Sequence, residues 1–393
     1  YSGLFSVLHL IYNLPYGWVI LLLMFLGGLG KSAQFPLTQW LLTAMTGPTP
    51  VSALIHAATM VNLGAILTFF VYPFLVYPNP QTTLFMSIMV GISMFTAIYT
   101  STSALASNEQ KLILAYSTAD QISLMILSSS IGGLLASLTS NLNYLYAGIL
   151  IGFIQMLAHG TYKASLFMNA GSVIHFTENR YVGVFKGLYR KLKTVFVLQL
   201  LAALNLASIP PLIGFWAHDL IGVLASNTSL FPLYVITEFL GGVYIIRYVI
   251  KAFLWKNGED VEEESHVHPL MIISPAILVI TSIILGAVFL TSLVPFFTSI
   301  GLSSSFISLD LPSVLLAILG VIIALALYLN GLDLGKYAGL RPLVDFLYYG
   351  WFVNPAFDKF GIAGYRFAKG VYEKFEYGVI AVSYTHLRAH ETG

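Results

Sequence analysis

Gly27-Gly28-Leu29-Gly30-Lys31-Ser32-Ala33-Gln34-Phe35-Pro36 interrupts an apolar run that starts near residue 17 and resumes to residue 44. Three glycines, a charge and a proline in the middle of a bilayer-length segment describe a helix that enters the membrane and breaks there. Proline removes a backbone donor and clashes with the preceding turn. In lipid the freed carbonyls must then meet protein groups or water. A second interruption of the same kind is Ala207-Ser208-Ile209-Pro210-Pro211-Leu212-Ile213-Gly214-Phe215-Trp216-Ala217-His218-Asp219. Paired broken spans are the sequence signature of an ion path in repeat-built transporters.

Working outward, apolar runs near 17–44, 50–72, 82–104, 109–130, 143–171, 194–222, 231–254, 270–294 and 311–330 each approach the ~20 residues that cross a bilayer as a helix. The 393-residue chain is 57% hydrophobic and 9% charged. Soluble domains carry about 25% charged residues. A water-soluble enzyme is thereby excluded, as are a disordered chain and a secreted disulfide scaffold. The runs are continuous rather than alternating, which argues against a β-barrel. The expected fold is all-α, a polytopic transmembrane helical bundle. The two breaks lie five spans apart, so their helices cross in opposite directions, as inverted five-helix repeats require.

The charges support this count. They concentrate after spans five, seven and nine, in Glu178–Lys193, Lys256–Glu264 and Arg341–Glu391. The loops between are nearly uncharged, with Asp310 at the edge of one. Five of the six charges in Glu178–Lys193 are basic, which places that side in the cytoplasm. Residues 1–15 read as a lead-in. In 342–382 aromatics alternate with charges, and Ile362–Ile380 reads as an amphipathic helix along the interface. The chain starts at Tyr1 rather than Met and is expected to be a fragment. Residues 383–393 turn abruptly polar and read as a foreign extension.

Ionisable groups inside spans are costly and mark function by default. Lys31 sits beside the first break; a lysine snorkelling to the headgroups is the alternative. His56 lies about six residues into the second span. His159 and Lys163, at i and i+4, share one helix face. His218 and Asp219 follow the second break and read either as a proton site or as a solvated helix end. Lys111 opens the fourth span. Glu238, Arg247 and Lys251 lie on the seventh, the last two near its cytoplasmic end. No cysteine is present, so cysteine-ligated iron–sulfur clusters are excluded from the chain. No phosphate loop or metal-ligand spacing occurs, and no metal, nucleic acid or cofactor is expected on it. The residues by themselves describe a transporter passing protons or small cations along buried Lys and His.

Gly30-Lys31-Ser32-Ala33-Gln34-Phe35-Pro36-Leu37, Gly47-Pro48-Thr49-Pro50-Val51-Ser52-Ala53-Leu54-Ile55-His56, Lys111-Leu112-Ile113-Leu114-Ala115-Tyr116-Ser117-Thr118 and His159-Gly160-Thr161-Tyr162-Lys163 occur in order. So do Gly171-Ser172-Val173-Ile174-His175 and Pro210-Pro211-Leu212-Ile213-Gly214-Phe215. Together they resemble the antiporter-like membrane subunits of respiratory complex I, above all the distal L type. The resemblance covers roughly residues 16–382. It implies that 16–72 end a first antiporter-like repeat, that 82–254 form the second, and that 270–330 supply two further transmembrane helices. It makes 342–382 the start of a lateral helix.

It implies a proton pathway of Lys31, His56, His159, Lys163 and His218, with Lys111 and Asp219 secondary and Pro36, Pro210 and Pro211 at the helix breaks. Where the family has a lysine before an acidic residue, this chain has His218-Asp219. Histidine carries a proton with a lower unperturbed pKa, ~6.5 against ~10.4. The resemblance further implies a proton-translocating subunit of an NADH (or other donor):quinone oxidoreductase in a bacterial, archaeal or organelle inner membrane. NADH, FMN, iron–sulfur clusters and quinone would sit on partner subunits of the membrane and redox arms. A subunit of a multisubunit Na⁺/H⁺ antiporter or membrane-bound hydrogenase remains open, as does a non-conducting structural subunit.

Overall fold

A computed structural model describes residues 10–11, 13–75, 78–261, 266–293, 295, 309–333, 335 and 337–383. The first nine residues of the lead-in and nearly all of the polar C-terminal stretch lie outside them. Among the described residues the structure is helical, with two isolated bridges, Glu109 to Tyr181 and Phe185 to Glu259. The chain divides into a unit Tyr1–Tyr348 and a second unit Tyr349–Gly393.

In the first unit α1 (Gly17–Lys31) and α2 (Gln39–Thr43) are the halves of the first span, and α3 (Thr49–Ala57) and α4 (Leu63–Leu75) the halves of the second. Then come α5 (Pro80–Ala106), α6 (Gln110–Thr139) and α7 (Asn143–Thr177). The second broken span is α8 (Lys193–Leu206) plus α9 (Ile213–Ala225). It is followed by α10 (Phe231–Val249), α11 (Pro269–Val288), α12 (Leu311–Tyr328) and the short α13 (Arg341–Tyr348). Taken with their breaks, these helices account for all nine expected spans. α6 and α7 outrun their expected ends at 130 and 171. Each stops at a left-handed residue, Ser140 with φ 57° and Glu178 with φ 51°, the usual geometry of a helix stop.

Both expected breaks are present and share a pattern. Ala33 (φ 51°) and Ser208 (φ 59°) are left-handed, and each lies just ahead of a cis peptide, Phe35–Pro36 and Pro210–Pro211. The second span carries a further break beyond the two expected from sequence. Its helix stops at Ala57 and resumes at Leu63 through a 3-10 turn over Met60–Asn62. No proline causes this break. Thr59 Oγ1 donates to Leu54 O at 3.0 Å and Asn62 Nδ2 to Ala57 O at 3.3 Å, so polar side chains compete for the carbonyls. Ser32, from the first break, completes it. Its hydroxyl donates to Val61 O at 2.6 Å and accepts from Gly64 N at 2.7 Å.

α6 and α10 are the most enclosed spans, while α11 and α12 present most of their apolar surface outward. α6 and α7 approach closely at glycines. A Cβ added to Gly132 would lie 3.0 Å from Gly148 Cα, a small-residue contact of the kind membrane helices use. On the charged side, the loops after spans three, five, seven and nine meet. Val182 N donates to Asn108 O at 2.8 Å, and Lys186 N to Glu259 O at 2.9 Å. Lys186 pairs with Asp260 at 2.8 Å and Lys251 with Asp333 at 3.0 Å. The charge parity read from sequence therefore corresponds to one face of the bundle. Asp333, outside the spans, has its carboxyl held below the usual range: partial burial opposes its charge, and the Lys251 ammonium more than offsets this.

In the second unit, α14 (Val353–Val371) begins nine residues ahead of the expected amphipathic helix and continues as a π-type helix over Tyr372–Ala381. No residue of either segment is buried.

Candidate functional site

Two helices, α3 and α7, bring the first group of basic residues together. His56 occupies the last turn of α3, one residue before the second-span break. His159 and Lys163 stand one turn apart on α7. All three are fully buried. The His56 ring packs 4.6 Å from the Phe167 ring, and the His159 ring 5.6 Å from that of Tyr162. Lys163 Nζ donates to Ser117 Oγ on α6 at 2.7 Å and lies 6.0 Å from the Tyr162 ring centroid. His56, His159 and Lys163 are close enough to act on one another electrostatically. Both ring nitrogens of His56 and both of His159 lack a hydrogen-bond partner among the described residues. The Ala57 carbonyl faces His159 but falls outside hydrogen-bond geometry.

Tyr162 joins this strip to a second group. Its hydroxyl donates to Gln121 Oε1 at 2.7 Å. Gln155 Nε2 donates to the same oxygen at 2.7 Å. His218, on α9, completes the group from the far side of the second break. Its Nδ1 lies 2.7 Å from Glu238 Oε1 on α10. Its Nε2 lies 2.9 Å from Gln121 Oε1 and 3.1 Å from Gln155 Nε2. Ser208, the left-handed residue of the break, donates to Glu238 Oε2 at 2.9 Å. Tyr234 OH donates to the His218 carbonyl at 2.6 Å. Asp120 Oδ2 accepts from Tyr244 OH at 2.8 Å and from Gln121 Nε2 at 3.3 Å. Burial is nearly complete, with His218 3% and Glu238 4% exposed.

His218 Nδ1 faces an acceptor, Glu238 Oε1, while Nε2 faces both an acceptor, Gln121 Oε1, and a donor, Gln155 Nε2. A buried imidazole can gain or lose a proton only where neither state is left unpaired at large cost.

The other residues named from sequence take different places. Lys31 does not join either group: it is exposed, with Nζ 3.9 Å from Met60 Sδ. Lys111 is buried and donates to the Gly47 carbonyl. Asp219 turns toward α12, where its Oδ1 accepts from Asp310 N at 2.8 Å. Asp310 in turn accepts from Ser313 Oγ. Pro36, Pro210 and Pro211 lie in the breaks. Arg247 is buried and structural, donating to Ser107 O at 2.8 Å and Asn108 Oδ1 at 2.7 Å. Among the described residues no group of three or more His, Asp or Glu is set to hold a metal ion. Gln121, Gln155 and Tyr162 were not singled out from sequence. The spacing of Gln155, His159, Tyr162 and Lys163 along one helix face was the available signal.

Residues 2–245 match the family model described as NADH:quinone oxidoreductase/Mrp antiporter, TM. The chain belongs to this family. It is 33% identical over 288 residues to the Na(+)/H(+) antiporter subunit A1 of Staphylococcus saprophyticus, which covers 69% of this chain and 35% of that one. It is 33% identical over 269 residues to NADH-quinone oxidoreductase subunit L of Campylobacter jejuni, covering 67% of this chain and 41% of that one. A third relative, F(420)H(2) dehydrogenase subunit L of Methanosarcina mazei, is 29% identical across 92% of this chain and 56% of its own length. The chain thus spans about half or less of the curated relatives it matches. A structure of the Mrp complex from Dietzia sp. superposes with a TM-score of 0.67 over 98% of this chain and 42% of that one, at 24% identity. That likeness establishes the fold. The membership expected from the motifs around Lys31, His56, His159 and Lys163 is borne out, and so is an integral, multi-pass membrane chain.

Proposed function

We propose that the chain is part of a proton-translocating membrane subunit of a quinone-linked oxidoreductase, with electron transfer on other subunits. The observation that carries this reading is two buried polar groups side by side, His56, His159 and Lys163 on one side of Tyr162 and Gln121, His218 and Glu238 on the other. Lys163 is the middle carrier. Protons reach it past His56 and His159, whose four ring nitrogens have no hydrogen-bond partner among the described residues. A charge change at Lys163 acts on His218 by Coulomb coupling that the bilayer screens weakly. Lys31, exposed beside the first break, is assigned in this reading to the entry side.

On this reading residues 16–72 end one five-helix repeat and 82–254 form its inverted partner. The donor, flavin, iron–sulfur clusters and quinone belong to partner subunits. The second reading, a cation/proton antiporter subunit, is favoured by one observation: the antiporter relative is as similar as the oxidoreductase one, 33% in each case.

Lys163→Ala in the assembled complex, reconstituted in vesicles, tests the proposal. Proton movement is expected to fall about a hundredfold or more, the scale of a lost acid–base group. Unchanged pumping at normal electron transfer would leave a structural subunit as the answer. Dependence of the remaining flux on external Na⁺ separates the two transport readings.

A further inference from the structure

We propose that Glu238 is the positioning residue of the His218 site: it fixes the imidazole with its proton on Nδ1, so that transported protons load and leave at Nε2. The inference deepens the reading above and rests on it.

Glu238 Oε1 lies 2.7 Å from Nδ1, where an ionised carboxylate can only accept, and its other oxygen accepts from Ser208 at 2.9 Å. The carboxylate is therefore held at both ends, by the carrier and by the helix break that presents the carrier. The hydrogen bond at one ring nitrogen decides which nitrogen is free for chemistry. Here that leaves Nε2, which faces Gln121 Oε1 and Gln155 Nε2 and, beyond them, Tyr162, whose ring lies 6.0 Å from Lys163 Nζ.

In the loading step Nε2 gains the proton that Lys163 gives up. The lysine becomes a neutral amine and the imidazole an imidazolium, with Nδ1–H and the Glu238 carboxylate unchanged. On release Nε2 loses that one proton. The carboxylate offsets the ring's charge in a site where an unpaired charge is strongly disfavoured. The other ionisable groups facing this pair are Asp120 from α6, Tyr162 from α7, Asp219 from α9, Tyr234 from α10 and Asp310 just ahead of α12. The first accepts from Gln121 and Tyr244, Tyr162 donates to Gln121, and Tyr234 donates to a backbone carbonyl. The Nδ1 contact is made by Glu238 alone among the described residues. A lysine at position 218 would carry its charge without any choice of tautomer. The histidine needs its partner on the next helix.

The test uses the assembled complex in vesicles, with protons moved per electron measured at matched complex content. Glu238→Gln keeps the shape and can still meet His218 and Ser208, but has no charge and can present an N–H to the ring. Pumping is expected to fall about tenfold or more. Glu238→Asp is expected to retain most of it. Adding His218→Lys to Glu238→Gln is expected to recover pumping relative to Glu238→Gln alone. Parental pumping by Glu238→Gln overturns the inference. So does a loss that neither Asp nor the added lysine relieves, because the carboxylate is then only a packing element. Lys163→Ala, measured alongside, separates the layers: if it pumps normally the transport reading itself fails, whereas if it is dead while Glu238→Gln pumps, only this inference falls.

Discussion

Two buried histidine sites lie on either side of Tyr162, and they are built in opposite ways. Around His218 every ring nitrogen has protein partners, and those partners have partners of their own. Around His56 and His159 no ring nitrogen has one among the described residues. Both sites are enclosed to the same degree, so burial does not distinguish them. The difference is in what each can tolerate. A fully paired network fixes one geometry and makes each member costly to remove. An unpaired strip fixes little, and its polar atoms can be replaced without orphaning a protein partner. The first suits a gate that holds a proton in a defined place. The second suits a conduit.

Stability measurements can break this contrast. Gln121→Leu removes the one oxygen that faces Gln155, Tyr162 and His218. Orphaned buried donors cost about 1–3 kcal/mol each, so a loss of about 3 kcal/mol or more is expected, read as a lower unfolding temperature of the purified, detergent-solubilised protein. His159→Leu should lie within about 1 kcal/mol of the parent, because an apolar group replaces atoms that had no protein partner. Proton movement should still fall about tenfold or more. Equal destabilisation by the two changes would show that the strip is as tightly built as the gate.

Ser117→Ala tests the border between the two sites at a smaller scale. It removes the hydroxyl that receives the Lys163 ammonium at 2.7 Å. Hydrogen bonds to charged groups contribute about 1.5–3 kcal/mol, and a loss at the lower end of that range is expected. In a Lys163→Met background, a thermal melt should show no further cost of Ser117→Ala. A full additional cost would place the hydroxyl's role elsewhere than on Lys163.

The sequence reveals the helices of this protein more readily than their meetings. Nine apolar runs were legible because a bilayer demands continuous hydrophobic length, and two breaks because proline and glycine announce themselves. The break after Ala57 was not, since Thr59, Asn62 and the distant Ser32 make it with side-chain hydrogen bonds that no local rule displays. His159 and Lys163 were legible as one face of one helix. That His56 joins them depends on how α3 packs on α7. Glu238 was visible as a lone acid in an apolar span and was grouped there with Arg247 and Lys251. Its actual partner lies twenty residues earlier on the preceding span, and the pairing follows from the turn between α9 and α10. Lys31 shows the converse. Its motif is plain in the sequence, yet the residue stands exposed and apart from both sites.

The smallest expected effect comes from Ser208, where the break and the gate share one residue. Its φ of 59° is unfavourable for any side chain, by roughly 1–2 kcal/mol relative to glycine. Its hydroxyl bond to the Glu238 carboxylate, a bond to a charged group, contributes about 1.5 kcal/mol. Ser208→Ala keeps the unfavourable backbone and loses the bond, so stability should drop by about 1.5 kcal/mol. Ser208→Gly loses the same bond but takes the left-handed conformation freely, so it should match or slightly exceed the parent in thermal stability. If the hydroxyl serves only the fold, the two variants should differ in pumping as they differ in stability. If it holds Glu238 for His218, both should pump more weakly than the parent by a similar factor, although one of them is no less stable. A glycine variant that is stable and pumps fully would detach the second break from the gate and leave Glu238 held by His218 alone.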